Sequence, residues 1–90
     1  MLNILLTGAA GLIGGELAAR LVAAGHRVTA MVHRTREIRA NDGSLVAPHE
    51  ALTGDVSLPM FGWSSVQYDR LAQTCDLLIH CAATVRFDLE

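Results

Sequence analysis

Residues 2–14 read LNILLTGAAGLIG and join an apolar run to three evenly spaced glycines. The continuous apolar run at residues 2–7 is typical of a parallel strand that is covered on both faces. Apolar residues then recur at helical spacing, which predicts a helix over residues 11–24 that ends at Gly25. A strand, a glycine turn and a helix N-terminus in this order stabilise an anion, because the turn amides and the positive end of the helix dipole point at the same place.

Each of the three glycines has its own reason to lack a side chain. Gly8 lets the chain turn sharply off the strand, Gly11 lets the backbone approach the phosphates of a nucleotide, and Gly14 lets the helix pack closely on the strand. The sequence on both sides of the turn is the context that a dinucleotide fold requires, so we predict a pyrophosphate-binding turn. The alternative is an ordinary strand-to-helix turn that happens to be rich in glycine.

The rest of the chain continues the alternation of strand and helix. We predict a second strand at residues 27–32, a short helical segment at 34–40 and a turn at 41–44. A weak third strand ends near residue 53, and Pro48 confines it to an edge of the sheet. A helix capped by Ser64 or Ser65 extends to about Gln73, and a fourth strand follows at residues 76–81.

This order of elements predicts an α/β fold. It is the N-terminal half of a doubly wound Rossmann fold, with a parallel sheet in the order 3-2-1-4. We expect residues 1–90 to form an incomplete part of one such domain, without the later strands that cover the fourth strand. Because an uncovered strand edge favours self-association, we expect either an oligomer or a further C-terminal part to cover it.

Composition narrows the possible classes of function. The 90 residues carry a formal net charge of −2, which argues against a nucleic-acid-binding surface because such surfaces show a basic stripe. The histidines and cysteines lack metal-ligand or C-x-x-C spacing, so no metal site is predicted. The N-terminus has no basic signal-peptide region, and no apolar run reaches the roughly 18 residues of a membrane span. We therefore expect a cytoplasmic protein that does not bind membranes.

The residues after the second strand indicate which cofactor is bound. An acidic residue about 20 residues past the glycines binds the ribose 2′-hydroxyl of NAD. This chain instead has His33-Arg34-Thr35-Arg36 and no acidic residue before Glu37. A guanidinium pairs with a 2′-phosphate through charge-assisted hydrogen bonds, so we predict NADP(H) rather than NAD. Arg34 is the first candidate and Arg36 the second, and the alternative for Arg34 is a solvated loop residue.

Two further segments follow strands at the edge of the sheet where ligands bind. Asp55 can accept a hydrogen bond from the adenine amino group while Val56 packs on the ring, but an Asx-turn is an equally good interpretation of Asp55. After the fourth strand, the small residues Ala82 and Ala83 allow the backbone to approach the ribose and nicotinamide half of the cofactor. We interpret His80, inside an apolar strand, as a packed or hydrogen-bonded core residue rather than an acid-base catalyst.

With these residues placed, the chain resembles the extended short-chain dehydrogenase/reductase superfamily, whose first turn reads T-G-x-x-G-x-x-G, as residues 7–14 do. Residues 54–59 and 80–87 are similar to the G-D-[LV]-S-x-P and H-x-A-A-x-V-x-F motifs of its thioester-reductase or fatty-acyl-reductase branch. The resemblance implies NADPH-dependent reduction of a thioester to an aldehyde or alcohol. It also implies a set of cofactor-binding residues: Thr7 in the turn motif, Gly8, Gly11, Leu12, Ile13 and Gly14 at the pyrophosphate, Arg34 at the 2′-phosphate, Asp55 and Val56 at the adenine, and Ala82, Ala83 and Thr84 at the inner ribose.

The catalytic residues of that superfamily are missing from this sequence. The superfamily uses a Tyr-x-x-x-Lys pair, but here Tyr68 is followed four residues later by Ala72 and the chain has no lysine. We therefore predict no catalytic residue and interpret the chain as the NADP(H)-binding portion of an oxidoreductase, not competent alone. Two alternatives stay open: a non-catalytic NADP-sensing module of the same fold, and a fragment of an NAD-dependent nucleotide-sugar epimerase or dehydratase.

Overall fold

The structure is a computed structural model that describes residues 1–33 and 37–81. Four strands and two helices follow one another along the chain. They are β1 (Asn3–Thr7), α1 (Leu12–Ala23), β2 (Arg27–Val32), β3 (Glu50–Thr53), α2 (Ser65–Thr74) and β4 (Leu77–His80), with a tight turn at Pro59–Gly62 before α2.

The four strands form one parallel sheet in the order β3-β2-β1-β4. β1 lies in the middle and pairs with β2 through Ile4 opposite Val28, and with β4 through Thr7 opposite His80. Because parallel strands end at the same edge of a sheet, the glycine turn after β1 lies between the segments that follow β2 and β4. The α/β fold class and the predicted strand order are confirmed.

Helix α1 ends as the sequence predicts. Gly25 has a φ of +89°, and its amide donates to the carbonyl of Val22 over 3.0 Å. The amide of His26 donates to the carbonyl of Leu21 over 3.1 Å. Together these two bonds form a Schellman motif, in which a left-handed glycine lets the chain leave the helix and enter β2.

The main core lies between the sheet and α1. It contains Leu6 from β1, Ala18 from α1 and Ile38 from the segment after β2, together with three residues of β2: Val28, Ala30 and Val32. The side chain of Ala18 is completely buried, which allows the helix to lie close to the strands. This packing fixes α1, and therefore its N-terminus, against the centre of the sheet.

The prediction of a short helix at 34–40 is wrong for residues 37–40, the part of it that the structure describes. Arg39 instead forms an antiparallel bridge with Leu45, and Ile38 between two exposed neighbours is buried. This alternation of exposed and buried side chains has the period of a strand, which fits the extended backbone. The turn predicted at 41–44 is confirmed, with Gly43 at a φ of +86°.

The last two elements agree with the prediction in type and differ in extent and exposure. Helix α2 is capped by Ser64, whose hydroxyl accepts from the amide of Gln67 over 3.2 Å. β4 is shorter than the predicted strand at 76–81, and its apolar residues Leu77 and Leu78 are 44% and 50% exposed. Within the described residues, β4 pairs with β1 alone and is therefore an edge strand.

Candidate functional site

The glycine turn is held by its own backbone. Gly8 has a φ of +68°, a left-handed conformation that favours glycine, and its carbonyl accepts from the amide of Gly11 over 3.0 Å. A Cβ atom on Gly14 would overlap the same carbonyl and lie 3.1 Å from the Cα of Ala9. The sequence prediction for Gly14 was packing of the helix on the strand. In the structure, its nearest neighbours are the first residues of the turn, which leave no space for a side chain.

The N-terminus of α1 offers unpaired donors beside this turn. Gly11 is the N-cap residue, no side chain caps the helix, and the first helical hydrogen bond runs from the amide of Gly15 to the carbonyl of Gly11 over 2.8 Å. The amides of the three preceding residues therefore have no acceptor within the helix. Leu12 and Ile13 are 83% and 75% exposed, so this end of the helix lies at the surface of the protein and not in the core. An anion placed here meets amide donors and the positive end of the helix dipole.

Thr7 connects the ends of β1 and β4. It is completely buried, and its hydroxyl oxygen lies 2.8 Å from Nδ1 of His80. The amide of Cys81 donates to the same oxygen over 3.1 Å. The interpretation of His80 as a packed or hydrogen-bonded core residue is correct for the hydrogen bond and wrong for the core, because His80 is exposed at the end of the edge strand β4.

Asp55 follows β3 at the same edge of the sheet. Its Oδ1 accepts from both the amide and the hydroxyl of Ser57, at 2.9 and 2.6 Å, and Oδ2 lies 3.5 Å from Nε2 of His33. The Asx-turn interpretation is therefore confirmed by geometry. The adenine role of Asp55 and of the half-buried Val56 stays a prediction.

The loop after Asp55 is shaped by a left-handed turn that the sequence did not indicate. Met60 and Phe61 have φ values of +51° and +58°, which are unusual for residues with side chains. The amide of Asp55 donates to the carbonyl of Phe61 over 3.0 Å, and the indole nitrogen of Trp63 donates to the carbonyl of Thr53 over 2.7 Å. These two bonds fasten the loop to the end of β3 beside Asp55.

Gly15 is a second residue that sequence reasoning missed. It is buried, and a Cβ atom there would overlap the carbonyl oxygen of Arg39. The neighbouring Glu16 accepts from the amide of Asn41 over 2.8 Å and pairs with Arg20 at 2.9 Å, and these bonds hold the pKa of the Glu16 carboxyl below its usual range. The sequence contains one signal of this contact, the pair of glycines at positions 14 and 15. Each glycine inside a helix costs about 1 kcal/mol relative to alanine, so two in a row indicate that side chains do not fit there.

Several predicted site residues lie outside the described residues: Arg34, Arg36, Ala82, Ala83 and Thr84. Across residues 1–33 and 37–81, no three His, Cys, Asp or Glu side chains are grouped as a metal site would need. No helix in the same two ranges has the length and apolar character to cross a membrane.

Comparisons with known proteins place this geometry in context. An NAD-binding family described as "Male sterility protein" matches residues 6–90. A hybrid PKS-NRPS synthetase, pvhA, of Talaromyces variabilis is 39% identical over 87 residues, which cover 94% of this chain and 2% of the synthetase. The crystal structure of the terminal R domain from the myxalamid PKS-NRPS biosynthetic pathway superimposes with a TM-score of 0.77 at 26% identity. That match covers 97% of this chain and 26% of the R domain chain, so this chain spans only a small part of either protein.

Proposed function

Because this chain belongs to the male sterility protein family of NAD-binding domains, we propose that it is the NADP(H)-binding portion of a reductase that acts on a thioester-bound acyl group. The resemblance to the thioester-reductase branch of the extended short-chain dehydrogenases/reductases is confirmed, and the chain is an NAD(P)-binding part of such a protein. The observation that carries the proposal is the uncapped N-terminus of α1 beside the glycine turn, at the centre of the ligand edge of a parallel sheet.

The preference for NADP(H) rests on charge around the end of β2. Arg34 and Arg36 follow that strand in the sequence, and the first acidic residue after it is Glu37. The Glu37 carboxylate already pairs with Arg39 at 3.2 Å, and the Asp55 carboxylate lies next to His33. By their place in the sequence, the two arginines are the candidates to pair with a 2′-phosphate, while a ribose 2′-hydroxyl lacks the usual acidic partner at this point of the chain.

The remaining cofactor contacts follow the turn and the ends of the strands. The amides of Leu12, Ile13 and Gly14 bind the pyrophosphate, while Gly8 and Gly11 shape the turn that lets it approach. Asp55 with Val56 borders the adenine. Ala82, Ala83 and Thr84 border the inner ribose. When bound, the cofactor supplies the hydride for reduction, and this chain contributes its binding and orientation.

The acyl substrate is proposed from the relatives. One relative is named as a PKS-NRPS synthetase and the other as a terminal R domain of such a pathway. This chain has no lysine, and its one tyrosine, Tyr68, lies on α2 with its ring centroid 6.1 Å from that of Phe61. We infer that proton transfer to the substrate carbonyl needs residues outside this chain, so that the chain alone binds cofactor without reducing a thioester.

Fluorescence titration of NADPH and NADH tests the cofactor assignment. Trp63 is the single tryptophan and its indole is bonded to Thr53 at the end of β3, so cofactor binding at that edge is expected to quench its emission. Charge-assisted hydrogen bonds to the 2′-phosphate contribute about 1.5–3 kcal/mol, which corresponds to roughly 10- to 100-fold tighter binding of NADPH. Arg34→Ala should remove most of this preference, while Arg70→Ala, on α2, serves as a matched control. Equal affinity for both cofactors, or no binding of either, would contradict the proposal.

A non-catalytic NADP-sensing module of the same fold is the second candidate, and a Tyr-x-x-x-Lys pair after the fifth strand of the whole protein is the feature that separates the two. Both candidates predict that this chain binds the cofactor, and they differ in whether the whole protein catalyses a reduction. NADPH oxidation by the whole protein in the presence of an acyl thioester supports the reductase. A whole protein that binds NADPH tightly, oxidises none of it and lacks the Tyr-x-x-x-Lys pair supports the sensor.

A further inference from the structure

Thr7 is the one polar residue in the buried core of the described chain. A buried hydroxyl is unfavourable unless it is hydrogen-bonded, so its partners reveal what holds it there. Thr7 has two partners, both from the end of β4: Nδ1 of His80 at 2.8 Å and the amide of Cys81 at 3.1 Å. We refer to this group of three residues as the clasp.

The clasp joins the two chain segments that flank the centre of the candidate site. Thr7 immediately precedes Gly8, where the glycine turn begins, and His80 is the last residue of β4. The amide of Cys81 also donates to the backbone carbonyl of Thr7 over 3.1 Å, so side chain and backbone of one threonine hold the end of β4. Since β4 has only four residues, these end contacts make a large contribution to its alignment.

The direction of the clasp hydrogen bonds follows from the donors present. An amide can only donate, so Cys81 occupies one lone pair of the Thr7 hydroxyl. The buried hydroxyl also carries a proton that needs an acceptor, and Nδ1 lies within reach of it, so we assign the hydroxyl as the donor and place the proton of the neutral ring on Nε2. The ring is otherwise exposed, so this hydrogen bond rather than packing determines its orientation.

We propose that Thr7 and His80 are positioning residues for the dinucleotide. The clasp sets the distance between the glycine turn, which binds the pyrophosphate, and the segment leaving β4, which borders the inner ribose and nicotinamide. Neither side chain needs to touch the cofactor for this role. The proposal rests on the proposed function, because it assumes that a dinucleotide spans the two segments.

Ligands of two lengths separate positioning from general stability. NADPH spans both segments, whereas adenosine 2′,5′-bisphosphate occupies only the adenine and adjacent phosphate part of the site. Thr7→Val keeps the shape of the side chain but removes the hydroxyl, and we expect it to weaken NADPH binding by about three- to tenfold, the effect of one hydrogen bond. Binding of the bisphosphate should be nearly unchanged. Equal weakening for both ligands, or no weakening for NADPH, overturns the positioning role.

Three further variants keep the experiment decisive. Thr7→Ser retains the hydroxyl and should recover NADPH affinity relative to Thr7→Val. His80→Leu removes the partner at an exposed position, so it tests the clasp even where Thr7→Val impairs folding. Thr29→Val is the matched control, since it makes the same change on β2 at a residue outside the clasp.

The tautomer of His80 tests the clasp without any ligand. Nitrogen-15 NMR of the ligand-free chain should show neutral His80 with its proton on Nε2, and Thr7→Val should shift the ring toward a mixture of tautomers. A tautomer ratio that is the same in the wild-type chain and in Thr7→Val overturns the clasp itself. If the wild-type chain binds no NADPH, the proposed function and the positioning role both fail, while a tautomer ratio that differs between the wild-type chain and Thr7→Val still shows that the hydrogen bond exists.

Discussion

Replacing Gly14 with alanine places a methyl group against the backbone that opens the glycine turn. The new Cβ would overlap the carbonyl oxygen of Gly8 and lie 2.8 Å from its carbonyl carbon, and neither atom can move without opening the turn. Overpacking of this kind costs about 1–3 kcal/mol. Alanine regains about 1 kcal/mol of helix propensity, which leaves a net loss of roughly 0–2 kcal/mol in the free energy of unfolding.

The effect of this substitution on cofactor binding should exceed its effect on stability. The amides at Leu12 and Ile13 are carried by the same turn, and their hydrogen bonds to a charged phosphate contribute about 1.5–3 kcal/mol. A displaced turn should therefore weaken NADPH binding by roughly 10- to 100-fold. Thermal melting should show a decrease of at most about 15 °C, because 1 kcal/mol shifts the melting temperature of a domain of this size by about 4–8 °C.

Gly43→Ala is the matched control for Gly14→Ala. Gly43 has a φ of +86° and no atom within 4 Å of an added Cβ, so alanine there introduces backbone strain without a steric clash. That strain costs about 1–2 kcal/mol, which makes the two variants similar in stability. If both variants bind NADPH equally well at a temperature where both are folded, the close contact between Gly14 and Gly8 does not support the site, and the reasoning is refuted.

Three other substitutions test separate parts of the structure. Glu16→Gln should reduce the loss of stability in acid. The pKa of the Glu16 carboxyl is lowered from its usual value of 4.5, so its ionised form stabilises the fold above pH 4.5, and this stabilisation is lost as the pH falls through the folded-state pKa. Thermal melts from pH 7 to 3 measure the loss. Trp63→Phe removes the hydrogen bond to Thr53 and should lower the free energy of unfolding by about 0.5–1.5 kcal/mol in denaturant titrations. Leu78→Lys, on the exposed strand β4, should reduce self-association of the isolated chain in analytical ultracentrifugation.

Each of these substitutions has an outcome that contradicts its premise. An acid transition identical in Glu16→Gln and wild type means that the bond to Asn41 does not couple to folding. Unchanged stability in Trp63→Phe means that the indole bond to β3 contributes nothing measurable. A wild-type chain that is already monomeric at high concentration removes the reason for Leu78→Lys, and shows that exposed β4 is tolerated without a cover.

The sequence predicts those features that local signals determine. The glycine turn, the end of α1 at Gly25 and the cap at Ser64 each depend on residues within a few positions, and the structure contains all three. Strand order follows from the alternation of strands and helices together with the right-handed crossover rule. These signals require no knowledge of distant contacts, which is why they are sufficient for the fold.

The features that the sequence does not predict depend on contacts between distant segments. Ile38 is buried because Gly15, far earlier in the chain, leaves space for the backbone of Arg39. Met60 and Phe61 adopt left-handed conformations that cost about 1–2 kcal/mol each. The hydrogen bonds from the loop to the end of β3 offset that cost, and no local sequence pattern indicates these bonds. The hydrogen bond between Thr7 and His80 likewise joins residues 73 positions apart.

The two outer strands of the sheet, β3 and β4, are each held at the ligand edge by a side-chain hydrogen bond. β3 and β4 have four residues each, so their ladders contain few hydrogen bonds and their ends are prone to fray. A side chain fastens each end: Trp63 donates to the last carbonyl of β3, and Thr7 holds the last residue of β4. Both fasteners lie at the edge where the glycine turn and Asp55 are found. Because ordering flexible segments opposes binding, strand ends that are already fixed lower the cost of holding a cofactor that spans them.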